Sequence, residues 1–173
     1  YENNGVIKRS NISEYLKKIN QDDRKKLRKL GVKFGRYHVF LFKLFKPSSV
    51  SLRILLWKSY NNNFLNLKPP TFGLNFLTDM KSANKDFMLL CGFEKFDDIY
   101  VRIDILERLF LLIFNSEKDD KKEIKVIPEM LNLLGCSKEN FKKLLKKMDY
   151  KIYEKEKEYF IKYLPAKKKI SKK

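Results

Sequence analysis

The sequence predicts a mainly α-helical protein with a minor share of β structure. Apolar residues recur at the i, i+3, i+4 spacing of helices in several segments, and Pro, Asn, Asp or Ser begins these segments while Gly ends several of them. Hydrophobic residues make up 43% of the 173 residues, which is enough for a packed core. The breaks between segments divide the chain into a helical segment (1–60), a linker with a short helix (61–100), a compact domain (101–165) and a basic tail (166–173).

Two short helices are predicted near the N-terminus. Asn11 and Glu14 have the spacing of a capping box, so the first helix continues through Asn20. The second helix begins at Asp22 or Asp23, stops at Gly31 and has only two apolar side chains, so most of its surface faces solvent or a partner. Three of its basic residues are candidate phosphate contacts: Arg24, Lys25 and Arg28.

An apolar block follows these helices. Residues 32–42 are rich in β-branched and aromatic side chains, which favours an extended segment. Within it, His38 has aromatic neighbours and no nearby carboxylate, so we interpret it as structural. Pro47 begins a helix. Its predicted buried stripe is Val50, Leu52, Leu55, Leu56 and Trp57.

The middle of the chain contains the clearest internal boundary. Residues 61–70 include three consecutive asparagines and two prolines, which exclude a helix or a central strand. Beyond it we predict a short helix over 85–91, closed by Gly92, and an extended segment over 93–101.

From residue 101 the predicted order is a helix, a short strand and two further helices. Asp104 caps the first helix, and residues 123–126 form the strand. Pro128 begins the second helix and Gly135 ends it. Ser137 caps the third helix, whose buried face is Phe141, Leu144, Leu145 and Met148.

The last predicted element before the tail is a β-hairpin. Residues 150–153 and 159–163 form its strands, since Tyr159, Ile161 and Tyr163 alternate as strand residues do. A long Lys/Glu helix is the alternative for the same stretch. With the hairpin, the order of elements is that of a winged helix-turn-helix domain, whose third helix often lies against nucleic acid.

The charge of the chain is strongly positive. Lysine and arginine number 39 against 21 acidic residues, a net charge of +18. Such a charge attracts phosphate-bearing polymers, but solubility or a biased genomic base composition explains it equally well. The placement of the lysines therefore has to decide between these interpretations.

Lysines are concentrated on the predicted third helix of the C-terminal domain. Glu139 is the one acidic residue in that helix, and Asn140 is its one residue of a type suited to reading bases. Because lysine contacts phosphates as a point charge, we predict nucleic-acid binding with weak sequence preference. The predicted contacts on this helix and in the tail are Lys138, Lys142, Lys143, Lys146, Lys147, Lys167, Lys168 and Lys169.

Several classes of protein are not indicated by the sequence. The chain has two cysteines and one histidine, too few for a four-ligand zinc site, and it contains neither a phosphate-binding Gly-x-x-x-x-Gly-Lys loop nor a Gly-x-Ser-x-Gly motif. Its longest apolar run, 109–114, is far shorter than a membrane span. We expect no catalytic residue, metal or cofactor in this segment, and a cytoplasmic, monomeric protein that does not bind membranes.

Two stretches resemble a known family of RNA helicases. The first is Leu30–Arg36 running on through Leu44–Pro47 and Leu52–Trp57, and it resembles the region C-terminal to the motor in bacterial relatives of the mitochondrial degradosome RNA helicase. The second is Val101–Leu109 followed by Glu129–Ser137, and it resembles the closing segment of the same proteins. The resemblance implies an ATP-dependent superfamily 2 helicase core upstream of Tyr1, with ATP and Mg²⁺ needed only there, and an accessory region that contacts this core and RNA in preference to DNA.

An alternative function belongs to a different class. The apolar side chains of Phe40, Phe42 and Phe45 would form a docking surface for the helicase core or for a nuclease partner if they were exposed together. The chain would then be a protein-interaction scaffold.

Overall fold

The computed structural model describes residues 4–61, 66–79, 83–116, 123–155 and 157–164. About 50% of the structure is helix and 23% is strand. The chain forms two compact units, Tyr1–Phe110 and Leu111–Lys173.

The first unit contains two three-stranded antiparallel sheets and several helices. In chain order its elements are β1 (Val6–Lys8), α1 (Ser13–Lys18), α2 (Gln21–Lys29), β2 (Val32–Phe34), β3 (His38–Leu41), α3 (Pro47–Tyr60), β4 (Phe76–Leu77), α4 (Lys85–Leu90), β5 (Phe93–Phe96), β6 (Ile99–Arg102) and α5 (Ile103–Asn115), whose last residues belong to the second unit.

Each of these sheets has a central strand that pairs with both of its neighbours, β3 in the first sheet and β6 in the second. In the first sheet, ordered β1-β3-β2, Val6 lies opposite Phe40 and Val32 lies opposite Leu41. In the second, ordered β4-β6-β5, Phe93 lies opposite Arg102. Two buried clusters form the core of this unit. One is Val6, Phe40, Phe45 and Ile103, and the other is Val50, Ile54, Phe87, Met88, Leu90, Cys91, Phe93 and Tyr100.

Some helices of this unit begin at a residue whose side chain caps them, and others do not. At the start of α2 the side chain of Asn20 accepts a hydrogen bond from the backbone N–H of Asp23 at 2.8 Å. The predicted cap at Asn11 is wrong, because Asn11 lies in a 3-10 turn and α1 begins at Ser13 without a side-chain cap. The predicted cap at Asp104 is also wrong, since this residue lies within α5 and pairs with Arg102 at 2.7 Å.

The predicted buried stripe of α3 is wrong in most of its members. Val50 is buried, but Leu52, Leu55 and Leu56 are 57%, 66% and 53% exposed. Apolar residues occur on every side of this helix, so its sequence does not single out one face. The face that enters the core is set by Val50 and Ile54, four residues apart, with Trp57 packed beside them.

The second unit contains a third antiparallel sheet and two helices. Its elements are β7 (Ile124–Lys125), α6 (Pro128–Leu134), α7 (Lys138–Lys147), β8 (Tyr150–Lys155) and β9 (Glu158–Tyr163). The sheet is ordered β7-β9-β8, and Ile161 lies opposite both Ile124 and Ile152. The predicted hairpin is thus confirmed.

The helices of the second unit begin and end where the sequence predicts. Gly135 ends α6 in the left-handed conformation, with φ of 65°. Ser137 then caps α7 by accepting a hydrogen bond from the N–H of Asn140 at 3.2 Å. The predicted apolar face of α7 is confirmed, since Phe141, Leu144, Leu145 and Met148 are all buried.

The predicted fold class is wrong. Three small antiparallel sheets make the protein a mixture of α and β structure, not a mainly α protein, and a winged helix-turn-helix is not shown. Two physical reasons explain the error. Strands of two to four residues are too short for alternation of side chains to identify them, and an order of elements along the chain does not fix how they pack.

No helix among the described residues is long and apolar enough to cross a bilayer.

Candidate nucleic-acid interface

Helix α7 separates lysines from apolar side chains along its whole length. Its ten residues include five lysines and one acidic residue, Glu139. Phe141, Leu144 and Leu145 are buried, whereas four of the lysines are exposed and Lys142 is half-buried. The helix therefore presents a positively charged face to solvent, and the exposed lysines are Lys138, Lys143, Lys146 and Lys147.

Two of these lysines lie over an aromatic ring of the sheet. The Nζ atom of Lys142 is 4.0 Å from the ring centroid of Tyr159 in β9, and that of Lys138 is 5.9 Å from it. An ammonium group at this distance from a ring face is attracted by the ring quadrupole. Tyr159 therefore joins the lysine face of α7 to the strand beside it.

The remaining lysines of α7 are exposed. Among the described residues, neither Lys143 nor Lys146 forms an ion pair. Lys146 and Lys147 occupy the last turn, where the negative end of the helix dipole stabilises positive charge. The fold thus supports positive charge at this end of α7 at little cost.

The opposite face of the hairpin carries aromatic rings among further lysines. Tyr153 in β8 and Phe160 in β9 are cross-strand partners with ring centroids 6.3 Å apart and ring planes 16° apart. Lys155 lies over both rings, 5.3 Å from the Tyr153 centroid and 5.5 Å from that of Phe160. Its Nζ also pairs with Glu123 at 2.5 Å.

Glu123 is the anion that holds this face together. The hydrogen bond from Lys155 and the nearby Tyr153 hydroxyl lower the pKa of the Glu123 carboxyl to about 2. Neither Glu123 nor Phe160 was predicted as a site residue. The alternation of lysine and aromatic residues along 151–155 is the sequence signal that points to this face.

The basic residues predicted on α2 lie in the first unit and have partners there. Arg24 donates to the backbone oxygen of Leu16 at 2.6 Å and is partly buried, so it links α2 to α1. Lys25 pairs with Asp22 at 3.2 Å, and Arg28 lies 5.8 Å from the ring centroid of Phe34. Arg24 is therefore a structural residue, while Lys25 and Arg28 are exposed. Lys167, Lys168 and Lys169 lie outside the described residues.

A cluster of buried charged groups lies in the first unit, where the sequence predicted none. His38 is 3% exposed, and its Nδ1 is 3.0 Å from Glu107 while its Nε2 is 3.4 Å from Glu94. Lys8 pairs with the other oxygen of Glu94 at 2.6 Å. The interpretation that His38 has no carboxylate nearby is wrong, because both carboxylates come from distant parts of the sequence.

Glu107 completes this cluster by binding backbone as well as imidazole. It accepts hydrogen bonds from the backbone N–H groups of Arg36, Tyr37 and His38. A Cβ atom on Gly35 would lie 2.3 Å from the Glu107 carboxyl, so this position requires glycine for space. The Glu107 carboxylate thus attaches the backbone at the start of β3 to helix α5.

The proton affinities of the cluster are shifted in opposite directions. Burial by itself would lower the pKa of His38, but hydrogen bonds to Glu107 and Glu94 raise it above its ordinary value. Burial by itself would raise the pKa of Glu94, but hydrogen bonds from His38 and Lys8 lower it. Both shifts favour the charged forms, a protonated His38 and an ionised Glu94.

The other candidate groups are the two cysteines and possible metal ligands. Burial raises the pKa of Cys91 to about 12 and that of Cys136 to about 11, so both thiols stay protonated at neutral pH. In the part of the chain that the structure describes, no three His, Cys, Asp or Glu side chains are grouped to hold a metal ion.

The aromatic residues of the alternative docking surface are mostly core. Phe40 and Phe45 are buried and stack at 5.3 Å, and Phe42 is exposed. These three side chains do not form one exposed patch.

Comparison with known proteins gives no match. No protein-family model, no curated protein and no solved structure matches the chain.

Proposed function

We propose that this chain binds nucleic acid without catalysing a reaction, and that it does so through the lysine face of α7. The observation that carries the proposal is the segregation of five lysines from the buried stripe of Phe141, Leu144 and Leu145 on one helix. A helix that only needed solubility would be served by mixed charges. Here five lysines stand against one acidic residue, Glu139, in the same helix.

The contacts in this proposal are with phosphates. Lysine ammonium groups are point charges that bind phosphate oxygens without a fixed geometry. Lys142 and Lys146 lie one helical turn apart, as do Lys143 and Lys147, so neighbouring phosphates of a strand meet neighbouring lysines. Asn140 is the one side chain of α7 suited to reading a base, so sequence preference is weak.

RNA is the proposed ligand, in preference to DNA, because of the resemblance of the chain to accessory regions of RNA helicases. In that arrangement the chain positions RNA for a helicase core, and ATP and Mg²⁺ act in that core. The core itself would then be the second partner of this region.

A salt titration tests the proposal directly. The affinity for a fluorescein-labelled 12-nucleotide oligouridine is measured by anisotropy at several salt concentrations. If four lysines displace counterions, the logarithm of the association constant falls with the logarithm of salt concentration with a slope of about −3. No binding at low salt, or an affinity that salt does not change, would contradict the proposal.

A charge-reversed variant locates the site. Lys142, Lys143, Lys146 and Lys147 are replaced together by glutamate, which changes no buried apolar residue. The matched control replaces four exposed lysines of the first unit, Lys17, Lys18, Lys68 and Lys85, which lowers the net charge by the same amount. We expect the α7 variant to lose at least tenfold in affinity and to lose most of its salt dependence, while the control loses much less. Equal losses in the two variants would show that bulk charge, not α7, binds the ligand.

A further inference from the structure

One face of the β8–β9 hairpin combines two aromatic rings with three lysines. Since side chains alternate between the two faces of a strand, residues 151, 153 and 155 share a face with their partners 162, 160 and 158. The other face carries Ile152 and Ile161, which are directed to the core of the unit together with Ile124. The first of these faces is called the aromatic face below.

The rings of this face are arranged as a surface on which another ring can lie. Tyr153 and Phe160 are both partly exposed, and their planes are within 16° of each other. Tyr153 and Phe160 are cross-strand partners in the β8–β9 ladder, so both rings are attached to a paired backbone. A pair of fixed, nearly parallel rings offers stacking area without a cost for ordering flexible side chains.

The lysines around the rings carry a repulsion that an anion would relieve. Lys151 and Lys162 lie directly opposite each other on β8 and β9. Like charges in this position destabilise a sheet. Glu123 offsets part of this repulsion, but its carboxylate already accepts a hydrogen bond from Lys155. A phosphate beside Lys151 and Lys162 would supply the missing negative charge.

We propose that the aromatic face stacks the bases of single-stranded nucleic acid, and this inference rests on the nucleic-acid binding proposed above. An unpaired base lies on Phe160 and Tyr153, and its flanking phosphates contact Lys151 and Lys162. Every base has a π-face, so this contact tolerates all sequences. Bases within a duplex are stacked on each other and do not reach the rings, so the aromatic face distinguishes single strands from duplexes.

Lys155 regulates access to the rings in this arrangement. Its ammonium lies over both rings while it is paired with Glu123. A base that enters displaces it, and the freed ammonium then pairs with a phosphate of the same strand. The Lys155 end of the ion pair is 45% exposed and the Glu123 end 9%, so Lys155 is the partner that turns to a phosphate while Glu123 stays in place.

The test compares two ligands on two variants. The ligands are the labelled 12-nucleotide oligouridine and a 12-base-pair RNA duplex, and the variants are Phe160→Leu and the control Tyr15→Leu, which removes an exposed tyrosine of the first unit. We expect Phe160→Leu to weaken oligouridine binding about tenfold and duplex binding less than twofold. Tyr15→Leu leaves both affinities within twofold of wild type. If Phe160→Leu leaves the ratio of the two affinities unchanged, the inference is overturned.

A second variant keeps the test decisive if Phe160→Leu loosens the sheet. Phe160→Trp enlarges the ring and places a fluorophore on the aromatic face. Oligouridine should bind it more tightly than wild type and quench the added fluorescence, whereas the duplex should not quench it. Absence of this quenching at saturating oligouridine would overturn the inference.

The outcomes also separate this inference from the proposed function. The charge-reversed α7 variant is expected to weaken binding of both ligands, and Phe160→Leu only that of the single strand. If the α7 variant loses affinity and Phe160→Leu does not, the lysine face is the binding site and stacking is rejected. If Phe160→Leu loses affinity and the α7 variant does not, stacking is supported and the lysine face of α7 is rejected as a binding site.

Discussion

His38 and Glu107 are 69 positions apart in the sequence, and Nδ1 of one lies 3.0 Å from Oε1 of the other in the core of the first unit. The pair joins β3 to α5, and Glu94 on β5 binds the second nitrogen of the same imidazole. Three elements are therefore held by one ring. A protonated His38 between two carboxylates is a buried charge with partners on both sides, and its loss would leave those partners uncompensated.

The first prediction concerns the pH dependence of stability. The folded-state pKa of His38 is raised, so the folded protein binds a proton more tightly than the unfolded chain. The resulting stabilisation is fully present below the ordinary pKa of 6.5 and is lost as pH rises through the folded-state pKa. We expect the free energy of unfolding to fall between pH 6 and pH 9.

The emission of Trp57 provides the measurement, because this is the one tryptophan of the chain and it packs in the core of the same unit. Urea unfolding followed at this tryptophan gives the free energy at each pH. Glu94 does not add to the pH dependence of stability in this interval, because its pKa is lowered and it affects stability only as pH falls below the ordinary value of 4.5. His38→Gln should remove most of the slope. A wild-type stability that is flat or rises over this interval would contradict the prediction.

The second prediction is a coupling between Gly35 and Glu107. Gly35→Ala places a methyl group 2.3 Å from the Glu107 carboxyl, and we expect a loss of about 1–3 kcal/mol in stability. In a Glu107→Ala background the colliding group is absent, so the same substitution should cost far less. The double-mutant cycle by urea unfolding measures this difference. Additive losses in the double variant would show that the close approach does not limit this position.

The sequence predicts local features of this protein better than its long-range pairings. Gly135, Ser137 and the apolar spacing along α7 act within a few residues of each other, and the structure agrees with each of them. The ion pairs of His38 depend on residues dozens of positions away, and no local pattern indicates them. The pairings of the two sheets in the first unit are missed for the same reason, because each short strand is stabilised by partners elsewhere in the chain.

The residues of the candidate site also differ in how well the sequence predicts them. The lysines of α7 could be placed on one face from their spacing alone, because a helix fixes the angular position of every residue. The pairing of Tyr153 with Phe160 could be placed only once the hairpin register was known. A shift of one residue would have turned Phe160 to the core, so alternation without register does not identify the aromatic face.

The third prediction is that stability and binding are separable on α7. Leu144 is 0% exposed, and Leu144→Ala should lower the stability of the second unit by about 2–5 kcal/mol. Lys143→Ala, one residue away on the exposed face, should change stability by about 0.5 kcal/mol or less. Hydrogen exchange of the α7 amides measures the first effect, and RNA titration measures the loss of affinity in Lys143→Ala. A lysine variant that opens the helix as much as Leu144→Ala does would mean that the lysine face is structural.

The fourth prediction concerns Glu123, the anion of the aromatic face. Glu123→Gln removes the charge that holds Lys155 over Tyr153 and Phe160, so the lysine is released and one negative charge no longer repels phosphates. We expect the affinity for oligouridine to rise about two- to fivefold and the salt dependence to steepen by nearly one unit, because one more lysine releases counterions. Glu129→Gln, which removes a charge from α6, is the matched control, and it should raise the affinity less. Anisotropy titrations of both variants at several salt concentrations provide the measurement. If Glu123→Gln weakens oligouridine binding while the sheet remains folded, Glu123 organises the site by holding Lys155 in place, and the ligand does not compete with it for that lysine.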